Sequence, residues 1–196
     1  KAKRSGRRIG VMFIDLDRFK NVNDTLGHRI GDELLKRVTA NLSEALRETD
    51  LLARLGGDEF MVIVEEFDDP AVLNRVAQKL QEAIAQPFQI EEHDIYVTSS
   101  IGIAVYPEDS DDPEGLLKHA DVAMYRSKEL GRNTYQFFDS NMAAHRLNQH
   151  TLEKALRIAV KENTLKLHYQ PVIRMTDRAV IGAEARRSHS VGILGP

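Results

Sequence analysis

The sequence predicts an α/β fold of the sandwich type, with a mixed, mainly antiparallel central sheet flanked by helices. Three observations lead there. Residues 9–16, IGVMFIDL, form a near-continuous apolar run, as a central strand buried on both faces requires. Three later segments repeat apolar residues at helical spacing, and among them lie a glycine-turned hairpin and an alternating strand. The chain is also apolar enough to bury a core, with 42% apolar and 29% charged residues among its 196.

Taken in order, residues 1–8 (KAKRSGRR) are a basic linker, not followed by the apolar stretch of a signal peptide. The strand at 9–16 ends in carboxylates. Residues 17–27 suit a short helix stopped by Gly27, and Ile30, Leu34, Leu35, Val38, Leu42 and Leu46 make residues 29–47 an amphipathic helix. LLARL, then Gly56-Gly57-Asp58-Glu59, then FMVIV reads as a hairpin with two acids at its tip. Val72, Leu73, Val76, Leu80 and Ile84 predict a helix over 70–86. Residues 95–105 alternate strictly, which predicts one half-buried antiparallel strand. The acid-rich segment 107–115 lacks the spacing of a calcium loop and reads as solvated. A last helix over about 114–130 ends at Gly131. After Phe138 the character changes: one long helix to about residue 163, then a new strand pattern. The expected organisation is therefore a domain at 9–138, a connector helix at 139–163 and a further segment at 164–196.

The charge balance, 27 Lys and Arg against 30 Asp and Glu, argues against a protein that coats nucleic acid but leaves a single nucleotide open. Absence of cysteine removes disulfides, thiolate nucleophiles and Cys-ligated zinc. No apolar run reaches the ~20 residues that span a bilayer. The chain starts without Met and ends in VGILGP, so it reads as a piece of something longer. The absence of cysteine and of a signal peptide makes a cytoplasmic domain the expectation, with an upstream membrane anchor in the parent left open.

Asp15 and Asp17 end the first strand, and Asp58 and Glu59 cap the hairpin. If these elements are neighbours, three or four carboxylates converge, and an all-oxygen cluster selects Mg²⁺ or Mn²⁺. An ordinary solvated strand end competes for Asp17. For Asp58 it competes less well, because two preceding glycines imply a close approach to the backbone.

RLGGDEF (54–60), FIDLDRFKNVNDTLGHRIGDELL (13–35) and ADVAMYRSKELGRN (120–133) resemble, in order and spacing, the GGDEF family of diguanylate cyclases. The resemblance covers roughly residues 9–138. It implies a nucleotide-cyclase, polymerase-palm-like fold that condenses two GTP into cyclic di-GMP (c-di-GMP) with loss of two pyrophosphates. It also implies two Mg²⁺ or Mn²⁺ per half-site and a homodimer that brings two half-sites together. By resemblance, Asp15, Asp58 and the Leu16 carbonyl are the metal ligands, and Asp58, Glu59 and Lys20 are the catalytic group. Asn23 and Asp32 would read guanine, whose N1–H and N2–H₂ donors a carboxylate can accept together. His28 would line that pocket or serve as a capping or surface residue. The amides of Arg18 and Phe19, with Lys20, Lys128 and Arg132, would hold phosphates. Ordinary roles exist for these too: Asn23 as a turn residue, Asp32 as a first-turn acid, Lys128 and Arg132 as helix C-terminal cations.

Arg47 and Asp50 match the RxxD of the family's product-inhibition site, where Arg can grip guanine O6 and N7 and Asp its N1/N2 edge; a surface ion pair is the alternative. Arg75 is a candidate second arginine. Residues 152–186 resemble the start of an EAL phosphodiesterase domain, which implies a metal-binding Glu184. That motif lacks its leucine (Glu184-Ala185-Arg186), the tail RSHSVGILGP does not continue it, and a barrel of this type needs roughly 250 residues. The expected parent protein thus joins an upstream sensory part, the cyclase and a downstream EAL domain. The alternative function is a non-catalytic module that binds GTP or c-di-GMP and regulates the attached phosphodiesterase.

Overall fold

A computed structural model describes residues 8–162 and 166–188. The chain divides into two compact units between Ala143 and Ala144. In the first, five strands form one sheet: β1 (Arg8–Leu16), β2 (Leu51–Gly56), β3 (Glu59–Phe67), β6 (Ser99–Tyr106) and β7 (Thr134–Phe137). Their order is β2-β3-β1-β6-β7. All pairs are antiparallel except β6 with β7, so the sheet is mixed and mainly antiparallel. β1 lies at the centre, which is why its sequence is apolar almost throughout.

The pleat sorts the side chains. Met12, Ile14 and Leu16 of β1, Phe60, Val62 and Val64 of β3, and Ile101, Ile103 and Val105 of β6 are buried in one core. That core also takes Leu34, Val38 and Leu42 of α2 (His28–Ala45), and Leu73, Ala77, Leu80 and Ile84 of α3 (Ala71–Ala85). Each such leucine or isoleucine contributes roughly 2 kcal/mol by leaving water. The short α1 (Phe19–Leu26) ends at Gly27 and packs on α2. The opposite face carries a smaller cluster, Val11, Ala104, Leu116 and Ala120, beneath α4 (Pro113–Glu129).

The alternating segment 95–105 departs from expectation. It breaks at residues 96–98 into β5 (His93–Ile95), which forms a separate hairpin with β4 (Phe88–Ile90), and β6 in the main sheet. β6 is also buried on both faces rather than one. The small residues Ser100, Gly102 and Ala104 face α4, which approaches too closely for larger side chains. A Cβ at Gly102 would overlap the Ala120 carbonyl oxygen and the Met124 amide nitrogen. Buried Ser127 of α4 closes the contact by donating to the Ile101 carbonyl at 2.8 Å.

The acid-rich segment is a mostly exposed loop over 107–112, as expected, and it leads directly into the start of α4. Asp112 caps the helix, accepting the Gly115 amide at 2.8 Å, with Pro113 following. At the other end Gly131, at φ 112, follows the cap residue Leu130, and the Arg132 amide reaches back to the Ser127 carbonyl at 3.1 Å. The Gly115 amide, then the Ser110 hydroxyl, hold the Asp112 carboxyl below its usual range. A depressed carboxyl stabilises the fold above its unfolded pKa of about 3.9, and that contribution is lost as pH falls through the folded value. Asp112→Ala should therefore lower the melting midpoint at pH 7, and the gap to the native protein should narrow in melts at about pH 3.

The second unit contains most of α5 (Ser140–Lys161) and an antiparallel hairpin of β8 (Lys166–Ile173) and β9 (Val180–Ser188), with Gln170 opposite Glu184. Tyr169, Val172, Ile173, Val180 and Ile181 of this hairpin are exposed. Residues 1–7 of the linker, 163–165 and the tail 189–196 lie outside the described residues. Among the described residues, no helix is long and apolar enough to cross a membrane.

Candidate active site

The end of β1 meets the β2–β3 turn. Asp15 stands opposite Glu59 in the ladder, so the two share a face, and the Leu16 amide donates to the Asp58 carbonyl at 3.2 Å. Gly57 makes the turn in the left-handed region, at φ 54, and Arg54 Nε donates to its carbonyl at 3.0 Å. A Cβ at Gly56 or Gly57 would meet nothing, so the backbone of the tip faces open space.

The four predicted acids therefore lie around one corner: Glu59 is the ladder partner of Asp15, and the charges of Asp58 and Asp17 both act on the Asp15 carboxyl. Asp15 is buried, and Lys128 Nζ lies 2.7 Å from its Oδ2. Burial pushes the Asp15 carboxyl up, Lys128 opposes this, and the charges of Asp58 and Asp17 raise it further. Among the described residues no group of three or more histidine, aspartate or glutamate side chains is arranged to hold a metal ion by itself. What the corner offers is two carboxylates beside main-chain oxygen. That is a hard donor set, fitting a cation such as Mg²⁺ that takes its other ligands from water and phosphate.

Asp17 corrects the idea of a solvated strand end. It is 6% exposed, and its carboxylate accepts Thr98 Oγ1 at 2.7 Å, Ser100 Oγ at 2.7 Å and the Asn133 amide at 3.1 Å. Sequence reading missed this set because Thr98, Ser100 and Asn133 are remote along the chain.

The phosphate-side candidates lie around the same corner. Arg18, at φ 58, precedes α1, Phe19 is buried beneath its first turn, and Lys20 is exposed. Arg18 and Arg132 both line a cavity of about 400 Å³ that also contains Asn21 and Tyr96. Lys128 sits in the last turn of α4, whereas Arg132 lies beyond the helix at φ 67.

Of the guanine-side candidates, Asn23 of α1 packs directly on Gly31 of α2, where a Cβ would overlap its Oδ1. Asn23 is thereby held beside the first turn of α2, with exposed His28 at the helix start and exposed Asp32 next to Gly31. Asp32 lines a cavity of about 370 Å³ with Glu33, Arg29 and Glu91. Arg29 and Glu91 pair through both guanidinium arms, tying α2 to the β4–β5 hairpin.

Arg47 and Asp50 occupy the turn between α2 and β2. Asp50 N–H donates to the Arg47 carbonyl at 2.9 Å, and Arg47 N–H donates to Asp50 Oδ2 at 3.1 Å. The other carboxylate oxygen of Asp50, Oδ1, is buried with no hydrogen-bond partner. A cavity of about 170 Å³ adjoins it, lined by Arg47, Asp50, Arg75 and Lys79 over an apolar floor including Val72 and Val76. Lys79 was not anticipated; its signal was its position four residues after Arg75, on the same helix face.

Comparison with known proteins identifies the family and the fold. Residues 1–134 match the family model described as diguanylate cyclase, GGDEF domain. The chain is 45% identical over 184 residues to the bifunctional diguanylate cyclase/cyclic di-GMP phosphodiesterase MucR of Pseudomonas aeruginosa, covering 94% of this chain and 27% of MucR. It is 38% identical over 194 residues to the cyclic di-GMP phosphodiesterase NbdA of the same organism, covering 97% of this chain and 25% of NbdA. The chain thus spans about a quarter of the length of these relatives. A solved structure of a delta-N mutant of P. aeruginosa TpbB, comprising only the GGDEF domain, superposes with a TM-score of 0.71 at 38% identity, covering 76% of this chain and 86% of that one. The chain belongs to the GGDEF domain family of diguanylate cyclases.

Proposed function

We propose that this chain is an active diguanylate cyclase domain that condenses two GTP into c-di-GMP and releases two pyrophosphates. The observation that carries the reading is the unbroken GGDEF turn set against β1, with Asp15 opposite Glu59 and Leu16 bonded to Asp58. The family is generally Mg²⁺-dependent. Asp15, Asp58 and the Leu16 carbonyl would hold the ions, which when bound supply charge neutralisation at phosphate and an acidified 3′-hydroxyl. Lys128 supplies positive charge beside Asp15, and Glu59 and Lys20 flank the reacting groups. Arg18, Phe19 and Arg132 orient the triphosphate. Asn23 and Asp32 select guanine over adenine, which lacks the paired donors, and His28 borders that pocket.

One chain supplies half a site, so turnover requires a second copy with its own GTP. Incubation with GTP and Mg²⁺ followed by product chromatography tests the reading: c-di-GMP supports it, and a mononucleotide cyclic product or unreacted GTP contradicts it.

Arg47, Asp50 and Arg75 form an inhibitory site for c-di-GMP. The unpartnered Asp50 Oδ1 beside three cations is what a guanine edge with attached phosphate would satisfy. Arg47→Ala should raise the c-di-GMP concentration needed for half-inhibition about tenfold or more, read from progress curves with added product. Unchanged inhibition would remove the assignment.

The domain reading assigns 9–138 to the cyclase, 139–163 to a connector helix, and 164–196 to a truncated start of an EAL domain plus a non-matching tail. It is supported by the 184-residue match with bifunctional MucR and by the exposed apolar residues of the β8–β9 hairpin, since an isolated two-stranded hairpin is marginal in water. A parent protein with an upstream sensory part and cytoplasmic catalytic domains follows from this reading. A second reading, a GTP- or c-di-GMP-binding regulator of an attached phosphodiesterase, is favoured by one observation: NbdA, matched over 97% of this chain, is a phosphodiesterase. GTP binding without turnover, even in a covalently forced dimer, would establish it.

A further inference from the structure

Resting on the cyclase reading, we propose that Asp17 is a positioning residue that sets Arg132, and so the phosphate side of the site, rather than a ligand to metal or nucleotide. A carboxylate offers about four lone-pair sites, and donors surround this one. Thr98 and Ser100 hydroxyls reach Oδ2 and Oδ1 at 2.7 Å each, the Asn133 amide reaches Oδ2 at 3.1 Å, and Arg132 Nε lies 3.9 Å from Oδ1. Little acceptor capacity is left for a cation. Asp15, two residues earlier in β1, differs: Lys128 is its close cationic partner, and its charge is disfavoured by burial and by Asp58 and Asp17.

The turn that Asp17 grips explains why a grip is needed. Gly131, Arg132 and Asn133 take φ values of 112, 67 and 48, and two of the three are not glycine. Successive left-handed residues with side chains are sterically disfavoured and persist where the surroundings over-determine them. Two hydrogen bonds do so here: Arg132 N–H to the Ser127 carbonyl, and Asn133 N–H to Asp17. The first belongs to the helix end. The second ties the turn to the end of β1, and Thr98 and Ser100 hold the Asp17 carboxylate from the β6 side. The origin of the Arg132 side chain is thereby fixed relative to Asp15, at the end of β1.

A double-mutant cycle tests this. GTP binding is measured by calorimetry for the native protein, Asp17→Asn, Arg132→Ala and the double variant, with KM and kcat from turnover. Asp17→Asn and Arg132→Ala should each weaken GTP binding about tenfold, the double variant no more than Arg132→Ala alone. Asp17→Asn should raise KM with kcat nearly unchanged, and the Mg²⁺ concentration for half-maximal rate should stay at the native value. Unchanged GTP affinity, multiplicative losses in the double variant, or a shifted Mg²⁺ requirement would overturn the proposal. Thr98→Val, which removes one donor and leaves the carboxylate, should show a smaller loss in the same direction and serves if Asp17→Asn does not fold. Amide exchange by NMR without nucleotide separates this proposal from the cyclase reading. Asn133 should exchange faster in Asp17→Asn while β1 amides keep their protection, and equal Asn133 exchange would overturn the anchor. A native protein that binds no GTP would sink the cyclase reading and leave that exchange result standing.

Discussion

Replacing Asp58 with alanine should lower c-di-GMP formation by on the order of a thousandfold or more while leaving the fold intact. The local contacts of residue 58 make the two effects separable. Its carbonyl, not its side chain, accepts the Leu16 amide, and alanine keeps that bond. The side chain is half-buried at the rim and belongs to neither core cluster. The stability change should therefore stay within about 0.5 kcal/mol. On the proposed metal role, removing the carboxylate would leave only Asp15 and the Leu16 carbonyl to hold cations, with Lys128 competing for Asp15 at 2.7 Å. Turnover by chromatography and a thermal melt on the same sample check both halves. Activity within tenfold of native would refute the metal-ligand role, and lost activity with a collapsed melt would show Asp58 to be structural.

The second large effect is on stability. Gly102→Val should destabilise the first unit by at least about 3 kcal/mol, a drop of about 10 °C in melting midpoint. Any Cβ at position 102 collides with backbone atoms of α4, Ala120 O and Met124 N, which cannot rotate aside as a side chain tip can. The helix must then lift from the sheet. Lifting it strains the bond from Ser127 to the Ile101 carbonyl and moves Lys128 and the 131–133 turn away from Asp15 and Asp17. Gly102→Ala should show the same effect at smaller size. A melting midpoint within 2 °C of native for the valine variant, by calorimetry, would mean that α4 sits farther from β6 than described.

The elements legible in the sequence were those long enough to show a period. β1, α2, the β2–β3 hairpin, α3 and α4 all stand where hydrophobic spacing predicts them. β4 and β7, of three and four residues, carry no period to read. Residues 95–105 misled for a physical reason. Small residues alternating with Ile and Val resemble a solvent-facing side, yet Ser100, Gly102 and Ala104 are small because a helix lies against them. In the site, the motif residues were readable as motifs, and the chain does bring Asp15, Asp58 and Glu59 to one corner. Asp17 was not readable, since its hydroxyl partners lie 81 and 83 residues away. The orphaned Asp50 oxygen and the approach of Lys79 are likewise properties of packing, invisible in spacing.

The most direct test of the cyclase reading is the rate of c-di-GMP formation from GTP and Mg²⁺ across a wide range of protein concentration. On the proposed half-site mechanism, the rate per chain should rise with concentration and level off once dimers dominate. Bound GTP with no c-di-GMP at any concentration, including a forced dimer, would contradict the account and leave a regulatory binding module in its place.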